Sequence, residues 1–209
     1  MIDRSEAEEH LRVIRSLMEK ATVYRAISAP AALIGGILSL LAASAGVWLS
    51  NPAFAVPHEA CRFALPWGLV LAATAVANLV LLRRERNEGE LGFVSARMVH
   101  TLRGMSPALL GGGFATALQS DGGWATTASL WVLFYGISLL AASHFAPSSI
   151  RWLGRAFFAA GAALLTAKAL ALDACLGSNH DLAAHAVMGS TFGLFHLIYA
   201  ACTWPRRAR

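Results

Sequence analysis

Six apolar blocks, each close to the length of a membrane-crossing helix, divide this chain of 209 residues. A helix needs about 20 apolar residues to cross the hydrocarbon core of a bilayer. Hydrophobic residues make up 56% of the chain and charged residues only 14%, against about 25% charged residues in a typical soluble domain. The blocks show no strand-like alternation, so they predict an all-α integral membrane protein rather than a barrel. They comprise residues 26–49, 63–82, 99–119, 124–145, 152–172 and 182–203.

The third block is the weakest of the six, because it opens with Ser106-Pro107 and contains three consecutive glycines at 111–113. The positions of Lys and Arg distinguish five spans from six, since cytoplasmic segments carry an excess of both residues. With six spans and a cytoplasmic N-terminus, 15 of the 17 Lys and Arg residues lie on the cytoplasmic side, the exceptions being Arg62 and Lys168. Five spans would move two arginines and the basic tail 206–209 to the other side. The charges therefore predict six transmembrane helices with both termini in the cytoplasm.

A cytoplasmic amphipathic helix is predicted over residues 1–25, ahead of the transmembrane domain 26–205. Ser5 and Glu8 have the spacing of a capping box, which marks a helix N-terminus. Apolar residues then recur at helical spacing along one face: Ala7, Leu11, Ile14, Leu17, Met18 and Ala21. Such a helix either lies on the cytoplasmic leaflet or docks a partner protein, and the periodicity does not separate these two interpretations.

Five of the six tryptophans fall near block ends, as expected for residues that anchor helices at the membrane interface. Trp48, Trp67 and Trp124 map to the outer interface, and Trp152 and Trp204 map to the inner one. Trp131 is the exception, about two turns inside the fourth block.

The chain contains no dinucleotide fingerprint, no phosphate-binding loop, no nucleophile elbow and no zinc-protease motif. This lack of motifs favours a protein that is not an enzyme. The net charge of +5 requires no nucleic-acid partner, because the topology and the anionic lipids of the inner leaflet account for it.

Polar residues inside the apolar blocks mark a candidate intramembrane site. His196 lies near the middle of the sixth block, on a stripe of small and polar residues that includes Tyr199. It is interpreted either as an imidazole bonded to a neighbouring helix or as a functional group, with proton transfer favoured over metal. Lys168 lies about one turn from the outer end of the fifth block. There it either reaches the interface or contributes to a substrate or proton site.

Metal-binding residue types gather toward the predicted outer face. Thiolate, imidazole and carboxylate donors suit zinc or copper, but their spacings here match no compact metal motif. The weak candidates are His58, Cys61, Cys175, His180 and His185. Cys61 and Cys175 face an oxidising compartment in this topology, so they form either a disulfide or two free thiols. No cofactor is predicted, and haem or a metal ion is kept only as an alternative.

Two segments hint at an internal repeat. Residues 36–44 in the first block and 136–143 in the fourth share a similar run of Gly, Ile, Ser, Leu and Ala. Many transporters are built from two inverted halves of this kind. A chance match in an Ala- and Leu-rich chain is the other interpretation.

Three short segments of the chain are similar to a loose group of uncharacterised bacterial six-span membrane proteins. These segments are residues 14–20, 134–139 and 192–196. The resemblance implies a location in the bacterial inner membrane and the six-span architecture. It implies no activity and assigns no site residues.

Three functional hypotheses follow. The first, favoured by the sparse interior polarity, is a non-enzymatic accessory, scaffold or sensing subunit that acts through helix contacts in the lipid bilayer. Its partner would be another membrane protein or a second copy of the chain. The second is a small transporter or channel built from two inverted three-helix halves. The third is a haem- or metal-binding membrane protein.

Overall fold

The computed structural model describes residues 8–15, 29–49, 59–86, 96–118, 123–143, 148–170 and 180–204. Within these ranges, the side chains of residues 49, 59–62, 82–86, 96–101 and 180–181 lie outside the description. All regular structure in the described ranges is helical, which confirms the all-α prediction there. The predicted N-terminal helix is described only over residues 8–15, which are helical and exposed.

In the ranges that the structure describes after that short segment there are six helices, and each overlaps one of the apolar blocks. They are α1 (Ala29–Leu49), α2 (Glu59–Arg86), α3 (Ala96–Ala117), α4 (Trp124–Ala142) and α5 (Ser148–Ala169). The sixth helix, α6, has three parts: His180–Met188, a π-helical turn Gly189–Gly193, and Leu194–Thr203.

Within the described residues, four stretches are long and apolar enough to cross a membrane, one each in α1, α2, α4 and α6. Their bounds are Ala29–Trp48, Phe63–Leu81, Trp124–Ala142 and Leu182–Thr203. The helices α3 and α5 have 22 residues each, which corresponds to a length of about 33 Å. Both begin with polar and charged residues, which lowers their overall apolarity.

Successive helices run in opposite directions. The first turns of α2, α4 and α6 meet at one end of the bundle, where Phe63 contacts both Trp124 and His185. Gly46, near the end of α1, also lies against His185. We call this the aromatic end. At the opposite end lie the starts of α3 and α5, with the exposed Arg103, Arg151 and Arg155; we call it the arginine end.

The helices α4 and α6 form the centre of the bundle. The helix α6 packs against α1, α4 and α5, whereas α4 packs against α3, α5 and α6. The helix α2 packs mainly along α1. As a result, 6% of its apolar stretch is buried, against 39% in α1 and 44% in α4.

Glycines set the closest helix crossings. A Cβ atom at Gly161 of α5 would lie 2.6 Å from the backbone nitrogen of Leu133 in α4, and a Cβ at Gly136 of α4 would lie closer still to the Phe158 backbone. Between α1 and α6, a Cβ at Gly36 would lie 3.1 Å from the Gly193 carbonyl oxygen. Small residues permit such approach of two backbones, which increases the dispersion contacts along each crossing.

The doubtful third block forms the helix α3, antiparallel to α4. Its interior proline, Pro107, has no N–H to donate to the carbonyl of Arg103 four residues earlier. The Ser106 hydroxyl donates to that same carbonyl at 2.9 Å. Gly111 lies against the Phe134 ring, where a Cβ would stand 3.1 Å away. A neighbouring hydroxyl and a close ring thus allow this Pro- and Gly-containing segment to remain helical.

We predict that Gly161→Ala destabilises the bundle, because its methyl group would overlap the Leu133 backbone. Overpacking of this kind costs about 1–3 kcal/mol. Gly113→Ala is the matched control, since nothing lies within 4 Å of a Cβ at Gly113. Both changes share the helix-propensity gain of about 1 kcal/mol. Thermal unfolding of the purified variants measures the difference, and equal midpoints would contradict the close crossing.

Candidate functional site

A tyrosine–histidine pair joins α4 to α6 inside the bundle. The Tyr135 hydroxyl and the His196 Nε2 atom are 3.0 Å apart. The other ring nitrogen, Nδ1, lies 2.8 Å from the Phe192 carbonyl oxygen. A carbonyl only accepts, so in the neutral ring Nδ1 carries the proton and Tyr135 donates to Nε2. Both nitrogens of His196 are therefore engaged within the protein.

Phenylalanine rings enclose this pair. The His196 ring is stacked on Phe192, with planes 14° apart, and is tilted 59° against Phe157. The Tyr135 ring meets Phe157 edge to face at 4.8 Å between centroids. Such an apolar enclosure strengthens a hydrogen bond and raises the cost of leaving either partner unpaired. We call Tyr135, Phe157, Phe192, Phe195 and His196 the His196 cluster.

The π-helical turn directly precedes His196. The backbone N–H of Leu194 donates to the carbonyl of Gly189, five residues earlier. The hydroxyls of Ser190 and Thr191 both donate to the Val187 carbonyl, at 3.1 and 2.7 Å. A π turn inserts one extra residue and rotates the helix that follows, and such turns often occur at functional sites. It separates the α6 segment that faces the aromatic end from the segment that carries His196.

A second cluster fills the aromatic end, with Phe63 at its centre. Phe63 lies 5.3 Å from Trp124, 5.6 Å from Trp131, 5.4 Å from His185 and 6.3 Å from Trp67, between ring centroids. We call these five residues the Phe63 cluster. Trp67 and Trp124 are buried. The sequence places both at the outer interface as membrane anchors, whereas the structure turns them into the core.

His185 is fully buried in the Phe63 cluster rather than displayed at an outer surface. The Trp67 indole N–H donates to its Nδ1 at 3.2 Å, so Nδ1 is unprotonated and the neutral ring carries its proton on Nε2. This tautomer is the opposite of the one at His196. Gly46 of α1 leaves room for the ring, since a Cβ there would overlap Nδ1.

Trp131, the tryptophan inside the fourth block, connects α4 to α3. Its indole N–H donates to the Thr116 hydroxyl at 2.7 Å, and that hydroxyl donates in turn to the Gly112 carbonyl at 3.0 Å. The first bond satisfies the only polar group of the indole, and the second uses the proton of the Thr116 hydroxyl. They also fix how far along α4 the helix α3 sits.

Lys168 lies at the aromatic end, where its amine donates to the Thr126 hydroxyl of α4. Thr126 and Tyr135 are nine positions apart on α4, which corresponds to about 14 Å along the helix axis. The structure therefore does not bring Lys168 to His196. Of the predicted intramembrane site, it brings together His196 and the buried Tyr199, one turn apart on α6.

Most of the predicted metal ligands, and both cysteines of the predicted disulfide, lie outside the residues or side chains that the structure describes. His58 and Cys175 are not among the described residues, and the side chains of Cys61 and His180 are not described. The disulfide prediction thus stays a prediction. In the described part of the chain no group of three His, Cys, Asp or Glu residues is placed to hold a metal ion. Cys202 is an exposed free thiol.

The sequence did not identify Tyr135 as the hydrogen-bond partner of His196. Tyr135 is 61 positions away in the chain, and its apolar neighbours in α4 give no periodic signal for the direction it faces. The arrangement can pass a proton between phenol and imidazole. Metal or haem binding at Nε2 would first require the Tyr135 bond to break.

No protein-family model, no curated protein and no solved structure matches this chain. Its helix contacts and its exposed surfaces are therefore the basis for the function proposed below.

We predict that Tyr135→Phe and His196→Phe are energetically coupled in a double-mutant cycle of unfolding. Interhelical hydrogen bonds in membrane bundles couple by about 0.6 kcal/mol on average, with a maximum of about 1.7. Pairing Tyr135→Phe with Lys168→Met is the control cycle, and its coupling should be close to zero because the two sites are distant. Equal coupling in both cycles would contradict a specific bond.

Proposed function

We propose that this chain is a six-span protein of the bacterial inner membrane, with both termini in the cytoplasm, that serves as an accessory, scaffold or sensing subunit. It acts through helix contacts with another membrane protein, and it is not an enzyme. This proposal rests on the helix α2, which the rest of the bundle leaves largely uncovered. Only 6% of its apolar stretch is buried.

The polar side chains inside the bundle support a structural role, in which they hold neighbouring helices together. Among the described residues, hydrogen bonds between two side chains link different helices, including Trp67 to His185, Trp131 to Thr116, Tyr135 to His196 and Lys168 to Thr126. Each joins two groups of the protein to one another, and the first three involve aromatic rings that pack against other rings. Polar side chains in this arrangement fasten helices together, whereas a solute pathway requires groups that face a passage.

The surface of α2 supports a role in contacts. Its exposed residues include Gly68, Ala72 and Ala75, which follow one another at steps of four and three along one face. Nothing lies within 4 Å of a Cβ at Gly68. Small residues at this spacing let a second helix approach closely inside a bilayer. A partner helix packed here would cover the side of α2 that α1 leaves bare.

The alternation of helix direction supports the six-span topology. It places Arg103, Arg151 and Arg155 at one end, as an excess of cytoplasmic positive charge requires. The arginine end is then cytoplasmic. The aromatic end, with Lys168, faces the opposite side.

Alkaline phosphatase fusions in a bacterial host test this topology, because the enzyme folds only outside the cytoplasm. We predict activity for fusions after Ser120 and Asn179, and none for fusions after Gly89, Ala146 and Arg209. The fusion after Arg209 is decisive, since five spans would put the C-terminus outside. Activity at that position would contradict the six-span proposal.

Native-size measurement of gently solubilised membranes tests the contact role. We predict a complex of defined size that contains a second membrane protein, and we predict that Gly68→Leu dissociates it. The matched control is Ala186→Leu, on an exposed side of α6. Both variants should keep the wild-type melting temperature after purification. An isolated monomer, or a complex unaffected by Gly68→Leu, would contradict the proposal.

A small transporter or channel is the alternative function. It is favoured by one observation, the half-buried Tyr135–His196 pair next to a π-helical turn in α6. In that case the turn would be the moving part and the pair a proton relay. A homo-oligomer or lone monomer on native-size measurement, with proton uptake lost in His196→Phe, would favour this alternative.

A further inference from the structure

The arginine end carries an exposed cluster of two arginines and a tryptophan on the first turns of α5. Arg151, Trp152 and Arg155 are all exposed, and Trp152 is 66% exposed. The Arg155 guanidinium carbon lies 5.0 Å from the centroid of the Trp152 ring. A guanidinium that rests on an aromatic face keeps its in-plane N–H groups free to donate to another anion.

An apolar strip continues from this cluster along the same helix. On the C-terminal side of Arg155, the exposed residues Ala156, Ala159 and Ala163 form a surface of small side chains. The exposed ring of Phe158 lies beside it. The positively charged cluster and the apolar strip thus follow one another along one side of α5. That order matches a phospholipid, in which an anionic head group is followed by hydrocarbon.

We propose that Arg151, Trp152 and Arg155 bind the head-group phosphate of an anionic phospholipid, with its acyl chain along Ala156, Ala159 and Ala163. The proposal rests on the inner-membrane placement of the proposed function. Arginine donates two parallel N–H bonds to a phosphate, and two arginines at a spacing of four lie on one helix face. Tryptophan sits at the level of lipid head groups, which puts the guanidinium beside it at the depth of the phosphates.

Native mass spectrometry of the intact protein, released from phosphatidylcholine nanodiscs that contain a minor fraction of cardiolipin, tests the site. We expect wild-type protein to retain cardiolipin in preference to phosphatidylcholine. An arginine that donates directly to the bound phosphate contributes about fivefold in affinity, so Arg151→Gln with Arg155→Gln should lower retention roughly 25-fold. Trp152→Leu should lower it about two- to fivefold through loss of the ring face.

Two controls keep the result specific. Arg103→Gln removes a positive charge at the same end but on α3, and Trp204→Leu removes another exposed tryptophan. Both should retain cardiolipin as the wild type does. Equal retention by the double variant, or an equal loss in Arg103→Gln, would overturn the lipid site. Full displacement by inorganic phosphate at the concentration of the lipid would also overturn it, because the acyl chain would then contribute nothing.

Alkaline carbonate extraction separates this proposal from the proposed function. Wild type and double variant should both remain in the membrane pellet. Release of the wild type would contradict membrane insertion itself and, with it, the lipid site. Retention in the pellet together with unchanged cardiolipin binding in the double variant would contradict the lipid site alone.

Discussion

The glycine crossings determine which helices of this bundle are neighbours. Its helices are apolar around most of their circumference, so hydrophobicity alone does not select one face of a helix over another. Shape then decides, and the closest approaches occur where Gly136 and Gly161 join α4 to α5 and where Gly36 and Gly193 join α1 to α6. Because Gly193 is also the last residue of the π-helical turn, the second crossing holds the irregular part of α6 against α1.

The glycine contacts bring helices together but do not set how each helix is rotated about its own axis. Hydrogen bonds between side chains fix that rotation. A polar group in an apolar interior is costly unless it is paired, so each pair has one favoured register. The bond from Trp131 to Thr116 sets α3 against α4, and the bond from Tyr135 to His196 sets α6 against α4. Opposite tautomers at His185 and His196 follow from this requirement. Each ring takes the form that its own partners dictate.

The helices were predictable from the sequence because apolar block length is a strong local signal. Even the doubtful third block is helical, through a serine beside its proline. The inward faces were not predictable. Trp67 and Trp124 have the position of interface anchors but are buried, while Trp48 and Trp152 remain exposed. Nothing local distinguishes these two pairs, since the difference arises from rotation about the helix axis. His196 was identifiable as a polar residue in an apolar helix, but its partner Tyr135 depends on packing across 61 positions.

The way α2 is attached to the bundle suggests how a partner bound at its surface would affect the interior. This helix is poorly covered along its length, yet at the aromatic end Phe63 touches three rings of other helices, those of Trp124, Trp131 and His185. A partner that shifted α2 would therefore act first on the Phe63 cluster. From there the His196 cluster lies about 6 Å along α4, from Trp131 to Tyr135, and about 16 Å along α6, from His185 to His196. The proposed sensing role would use this route, in which a poorly covered helix is attached at one end to a buried aromatic cluster.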